Sequence, residues 1–161
     1  SESVESPADA GSRWFDSATL TAPNGQQLLQ SSDFVDVGGA CGSALYPIEL
    51  LAEEPTAAEP LLAEQESHIV TIAVGTDDGR WTLGVGIASV DRLPQPGDTG
   101  CGWLFVHGSS DGGVSIGTQE AIASIQDDPL WTIDSLDDAT AYMETDEYAT
   151  ILEILRSVRT S

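Results

Sequence analysis

The segment Gly108-Ser-Ser-Asp-Gly112 formally matches a catalytic motif, the G-x-S-x-G nucleophile elbow, with Ser110 in the nucleophile position. That elbow needs a helix directly behind the serine, so that backbone N–H groups can form an oxyanion hole. Here Gly113-Val-Ser-Ile-Gly117 follows, and its pattern is extended. We therefore interpret the motif as a hairpin turn.

A hydrolase reading would also need a histidine base. His107 stands only three residues from Ser110, whereas a catalytic triad brings its base from elsewhere in the fold. His68 is the other candidate, and nothing in the sequence places it beside Ser110. An enzyme built on Ser110, a histidine and an aspartate therefore ranks behind the non-enzymatic interpretations below, and we assign no catalytic residue.

Metal and cofactor chemistry is not indicated by the spacing of the candidate ligands. Two cysteines and two histidines are the right number for zinc, but no pair has a short ligand spacing. The acidic pairs are not arranged as a calcium loop, and adjacent carboxylates point to different sides. We interpret them as solvated turns and helix caps. These pairs are Asp77-Asp78, Asp127-Asp128 and Asp137-Asp138.

The segment Gly84-x-Gly86 lacks the third glycine of a dinucleotide fingerprint and lies within a strand pattern. It indicates close packing or a bend. We predict neither a metal nor a cofactor.

The charge balance excludes several partner classes. The 161 residues carry 5 Lys+Arg, all of them arginine, against 27 Asp+Glu, a formal charge of −22. Without lysine, Schiff-base chemistry and a phosphate-binding P-loop are excluded. Nucleic acid and anionic lipid are poor partners, because their affinity depends on basic side chains. The charge fits solubility at high salt, or an acidic face that docks on a basic partner protein.

Two cysteines give an indirect indication of compartment. Cys41 and Cys101 each lie between glycines or small residues, 60 positions apart, which favours one disulfide. In the chain-entropy model such a bridge stabilises by about 4 kcal/mol. A disulfide predicts maturation outside the cytoplasm. The alternative is two unrelated thiols in a cytoplasmic protein.

Four tryptophans are candidate recognition residues. Trp81 and Trp103 fall on the buried pattern of predicted strands. Trp14 and Trp131 stand near the edges of elements beside acidic residues, so we expect either one to be partly exposed and available as a binding anchor.

The strand patterns predict an antiparallel sheet. Residues 68–74 and 80–88 predict a hairpin joined by a short turn that ends in Asp-Gly. Residues 101–107 predict a third, central strand. Shorter candidates are 13–20, 33–37, 45–51 and 114–116, and Pro23-Asn-Gly25 is a turn signal between the first two. Residues 53–67 predict an exposed excursion.

Helical patterns gather near the end of the chain. Thr145 can cap a helix with an apolar stripe from Tyr148 to Val158, and Ser135 can cap a shorter helix to about Met143. Residues 118–126 are a third candidate. The predicted fold class is α+β, an antiparallel β-sheet with C-terminal helices packed on one face.

We expect residues 1–12 to be a flexible acidic leader and residues 13–161 to form a single α+β domain. No apolar run is long enough to cross a membrane. The favoured function is a non-enzymatic, secreted or envelope-tethered domain that binds another protein or a small ligand. The alternative is an acidic intracellular inhibitor or immunity-type protein that masks a basic partner.

Overall fold

The computed structural model describes residues 17–23, 27–34, 44–56, 66–105, 107–109, 112–119, 121–123 and 130–158. The strands are β1 (Ser17–Thr21), β2 (Gln27–Phe34), β3 (Tyr46–Pro55), β4 (Ser67–Gly75), β5 (Trp81–Ser89), β6 (Thr99–Gly100), β7 (Gly102–Leu104), β8 (His107–Ser109), β9 (Gly112–Gly117), β10 (Ala121–Ala123) and β11 (Thr132–Ile133). The helices are α1 (Leu136–Met143) and α2 (Asp146–Ser157). Neither helix has the length and hydropathy needed to cross a membrane.

The main sheet is antiparallel, with the strand order β1-β2-β9-β5-β4-β3-β6. At its centre β4 and β5 pair from Ser67↔Ser89 to Gly75↔Trp81, which confirms the predicted hairpin. Its turn uses Gly79 at φ 81°, a left-handed conformation that favours glycine. The other edge of β5 is shared, because β11 pairs with its beginning and β9 with Gly86.

The shorter strand predictions are confirmed in part. β1 and β2 form a hairpin, but β2 already begins at Gln27, and residues 35–37 lie outside the described residues. β3 continues to Pro55, so the predicted excursion does not begin at Glu53. The continuation is favoured because β4 extends as far back as Ser67 and pairs with it.

Both capped helices form as predicted, and they cover one face of the sheet. The Ser135 hydroxyl accepts a hydrogen bond from the N–H of Asp138, and the Thr145 hydroxyl accepts one from the N–H of Tyr148. The fold class is α+β, as the sequence predicts. Alternate residues of β4 and β5, among them Ile69, Val85 and Ile87, pack in one core cluster with residues of α2.

The opposite face of the sheet is covered by a small second sheet, which corrects two predictions. Residues 101–107 do not form a central strand: β7 pairs with β10 in a separate two-stranded sheet. The predicted helix at 118–126 is wrong, because 121–123 are the strand β10. The physical reason is that Gly84 and Gly86 of β5 are glycines without side chains, so Phe105 lies directly on both of them and Ile122 lies on Gly84.

Side-chain hydrogen bonds replace strand pairing where β9 ends. The Thr118 hydroxyl accepts from the N–H of Val85 at 3.0 Å, and the Gln119 amide donates to the carbonyl of Leu83 at 3.0 Å. These contacts satisfy the free edge of β5 between β9 and β11.

Candidate functional site

The two helices and the residues that flank α1 carry a dense set of carboxylates, which we call the acidic helix layer. Its members are the exposed acidic side chains between residues 130 and 158. They are Asp134, Asp137, Asp138, Glu144, Asp146, Glu147 and Glu153. Arg156 is the single basic residue in that range. Because the inner faces of α1 and α2 are apolar, the charged side chains are directed to the solvent side.

The layer is fixed to the sheet by a buried contact. Tyr148, Ile151 and Leu155 are buried on the inner face of α2. The Tyr148 hydroxyl lies 2.7 Å from Oγ1 of Thr71 on β4, and burial raises the pKa of Tyr148. This hydrogen bond sets the position of α2 along β4, since a displaced helix would leave two buried hydroxyls unsatisfied.

Arg156 is held by a carboxylate from the sheet. Its Nε and one terminal nitrogen donate to the two oxygens of Glu54 on β3, at 2.6 and 2.7 Å. The hydrogen bond from Arg156 lowers the pKa of Glu54. A bidentate pair of this kind has specific geometry. It also means that the single cation of the layer is already engaged by a carboxylate outside the layer.

Only some of the seven carboxylates have side-chain partners. The hydroxyl of Ser135 donates to Asp138 at 2.7 Å, and the hydroxyl of Tyr142 donates to Glu147 at 3.1 Å. Burial, followed by the charge of Glu147, raises the pKa of Tyr142. Within the described residues, no side-chain hydrogen bond or ion pair holds Glu144 or Asp146. The outer surface of the helices therefore carries uncompensated negative charge.

This arrangement favours electrostatic docking over chemistry. Carboxylates spread along two helices at the surface attract a complementary basic surface and raise the rate of encounter. General acid–base work would need carboxyls that converge on one point with separated pKa values. Among the residues that the structure describes, no group of three or more metal-ligating side chains is arranged to hold a metal ion.

His68, a candidate base from the sequence, lies between two carboxylates. Its Nδ1 is 2.5 Å from Oε1 of Glu53 and its Nε2 is 3.3 Å from Oε1 of Glu66. The side chain of His68 is 13% exposed. Because both ring nitrogens face carboxylates, neither is available to a serine hydroxyl in this conformation. The geometry does not favour His68 as a catalytic base.

The motif containing Ser110 lies at a hairpin. β8 and β9 pair antiparallel, with Ser109 opposite Gly112, so the two strands are joined by a two-residue connection. Ser110 itself lies outside the described residues, as does the side chain of His107. The flanking strands agree with the hairpin interpretation, because an elbow would need a helix after the serine.

Two of the three acidic pairs lie where the sequence analysis placed them. Asp77 and Asp78 are exposed in the β4–β5 turn. There the hydroxyl of Thr76 and the guanidinium of Arg80 donate to Asp78 and lower its pKa to about 2. Asp137 and Asp138 form the first turn of α1. Asp127-Asp128 lies outside the described residues.

Of the two predicted tryptophan anchors, the structure describes Trp131, and that residue is buried. Trp131 is 3% exposed and makes an edge-to-face contact with Tyr142, with ring centroids 5.9 Å apart. The expectation that Trp131 is partly exposed is therefore wrong: it belongs to the core cluster beneath the helices. Trp131 lies in the turn directly before the two-residue strand β11, which is too short to show the periodicity that predicts burial. Trp14 lies outside the described residues.

Of the two cysteines, only Cys101 belongs to the described residues. Cys101 is half-buried in the short turn between β6 and β7. Cys41 lies outside the described residues, so the predicted Cys41–Cys101 bridge stays a prediction.

Comparison with known proteins gives no relative. No family model matches the chain. No curated protein and no solved structure matches it either.

Proposed function

We propose that the chain is a non-enzymatic binding domain, secreted or tethered at the cell envelope, that docks on a protein with a basic surface. The acidic helix layer is the observation that carries the proposal: it has seven exposed carboxylates on and beside two helices, and its single arginine is engaged by Glu54. Exposed charge of one sign favours encounter with a surface of the other sign. The helices are anchored to the sheet by Tyr148, so the layer is presented as a rigid surface.

Neutralising part of the layer is expected to weaken capture of the partner. In the Glu144→Gln/Glu153→Gln variant two exposed negative charges are removed, and we expect roughly three- to thirtyfold weaker binding, from a few tenths to one kcal/mol per exposed charge. The measurement is capture of proteins from envelope and cytoplasmic fractions of the source cells on immobilised protein, at 50 mM and 500 mM NaCl. Captured partner should be released by the higher salt.

The control removes the same charge elsewhere. Asp91 and Asp98 are exposed in the segment between β5 and β6, whose Leu93 packs on the face of the sheet opposite the helices, and the Asp91→Asn/Asp98→Asn variant also loses two charges. Equal loss of binding in the two variants would show that only the net charge matters, and would overturn the assignment of the helix layer as the docking surface.

The extracytoplasmic part of the proposal rests on a Cys41–Cys101 disulfide. We expect alkylation of the natively purified protein to require reductant, as read by intact mass. Reduction should lower the free energy of unfolding by about 4 kcal/mol, because the bridge restrains the unfolded chain.

If both thiols alkylate freely without reductant, the hypothesis that the protein is secreted or tethered at the cell envelope fails. The second candidate function, an acidic intracellular inhibitor that masks a basic active site, would then take its place. The same acidic helix layer would serve that function, so the salt-dependent binding experiment does not separate the two compartments. The alkylation experiment does.

A further inference from the structure

Strand β1 forms one end of the main sheet. Within the described residues it pairs only with β2, from Ser17↔Ser32 to Thr21↔Gln27. Its described side chains, residues 18–21, are all exposed, and Leu20 is 41% exposed. In an antiparallel pair half of the backbone groups of an edge strand point away from its neighbour. β1 therefore presents backbone hydrogen-bonding groups on its outer side.

The sequence that forms this edge is uncharged in a chain of charge −22. Residues 17–32, which cover β1, its turn and most of β2, contain no Asp, Glu, Arg or Lys. Natural edge strands are usually blocked by charged side chains, prolines or bulges, because an open edge pairs with other strands. The irregularity at Leu20/Thr21 places the extra residue on β2, so β1 itself stays regular.

The opposite end of the sheet shows the contrast. There β6 pairs with the beginning of β3 at Tyr46 and Pro47. The part of β3 that β6 does not cover carries Glu49 and ends in Pro55. Proline cannot donate a hydrogen bond to a neighbouring strand. Glu53 lies on the same strand and contacts His68. Charge and proline thus protect this end of the sheet, whereas β1 itself contains no charged residue and no proline.

We propose that the outer edge of β1 pairs with β1 of a second copy of this chain, which joins the two sheets across a two-fold axis. Full overlap of the five-residue strands sets Thr19 opposite Thr19 of the second copy, with Ala18 opposite Leu20. Threonine pairs and pairs of a small with a large apolar residue are favourable across antiparallel strands. The contact is isologous and closes as a dimer.

The net charge of the chain favours a second copy as the partner of this edge, and the size of the contact sets the strength of the dimer. Two chains of charge −22 repel one another wherever their acidic surfaces meet, and residues 17–32 are a stretch where contact brings no like charges together. Five paired residues bury less than the roughly 1,000 Å² that a stable interface needs, so the dimer is weak. Screening of the remaining repulsion should strengthen it as salt rises. Binding at the acidic helix layer has the opposite salt dependence, so failure of either proposal is recognised separately.

The test is sedimentation of the purified protein over a range of concentrations, at 50 mM and 500 mM NaCl. We expect a monomer–dimer equilibrium that is tighter at 500 mM. Thr19→Glu removes the threonine pair and places two carboxylates opposite each other, which should weaken the dimer about three- to tenfold. Thr140→Glu adds the same charge on the exposed side of α1 and should change the dissociation constant less than about twofold.

A cysteine variant tests the register independently of stability. Thr19→Cys brings two thiols opposite each other across the two-fold axis, within reach of a disulfide, and mild oxidation should give a covalent dimer. Thr140→Cys should give none. A chain that stays monomeric at both salt concentrations, or equal cross-linking of the two variants, would overturn the proposal. So would a monomer that loses a captured foreign protein on Thr19→Glu, since the edge would then belong to a partner's strand.

Discussion

Replacing Phe105 with alanine should lower the free energy of unfolding by about 3–5 kcal/mol, the usual cost of removing a buried aromatic ring. Phe105 is fully buried and belongs to the core cluster beneath the β7–β10 sheet. Its ring lies directly over Gly84 and Gly86 of β5. Those glycines have no side chain that could fill the space, so the cavity would remain open.

The measurement is urea unfolding followed by tryptophan fluorescence, with the free energy extrapolated to water. The control is the adjacent residue: Leu104 is 36% exposed, and Leu104→Ala should cost less than about 1 kcal/mol. Equal effects at positions 104 and 105 would mean that the β7–β10 sheet does not rest on β5 as described.

The helices could be predicted because their signals are local. Ser135 and Thr145 each cap a helix within three residues of the group they bind, and the apolar stripe of α2 repeats within the helix itself. The β4–β5 hairpin is equally local, since its turn and both strand patterns are contiguous. The structure of such elements can be predicted from a short window of sequence, because all of their signals lie within it.

The place of residues 101–107 could not be predicted in the same way. Aromatic and β-branched residues indicate that the segment is extended, but they do not indicate which sheet it joins. That choice depends on Gly84 and Gly86, which lie about twenty residues earlier and open a space on β5. β9 and β11 then occupy the edge of β5 that a central strand would need.

The candidate site could be predicted only in part from the sequence. The carboxylates of the acidic helix layer can be counted in the sequence, and the helical period predicts that they face solvent. The pairing of Arg156 with Glu54 could not be predicted, because the two residues are 102 positions apart and meet only through packing of α2 on the sheet. The local pattern shows only that Arg156 lies in the last turn of α2, where a basic side chain complements the helix dipole.

Gly86→Ala should cost about 1–3 kcal/mol, toward the upper end of that range, because its added Cβ would overlap a backbone atom. The Cβ would lie 2.6 Å from Cδ1 of Phe105 and 2.7 Å from the carbonyl oxygen of Ile116. Ile116 belongs to β9, and Gly86↔Gly117 is the register pair that joins β9 to β5 in the described strands. The substitution therefore strains the junction between the two halves of the sheet. Urea unfolding of the single variant measures this cost.

Gly84→Ala provides the matched comparison, because the atoms around its added Cβ belong to side chains. The nearest are Cδ1 of Ile122 at 2.5 Å and Cε2 of Phe105 at 2.8 Å. Ile122→Val removes one methyl group from that contact, so the double variant with Gly84→Ala should be less destabilised than the sum of the two single variants. Phe105→Ala should not relieve Gly86→Ala to the same degree, since the carbonyl of Ile116 stays in place. Full relief at position 86 would show that β9 can move away from β5 at little cost, and that the sheet is not rigidly joined there.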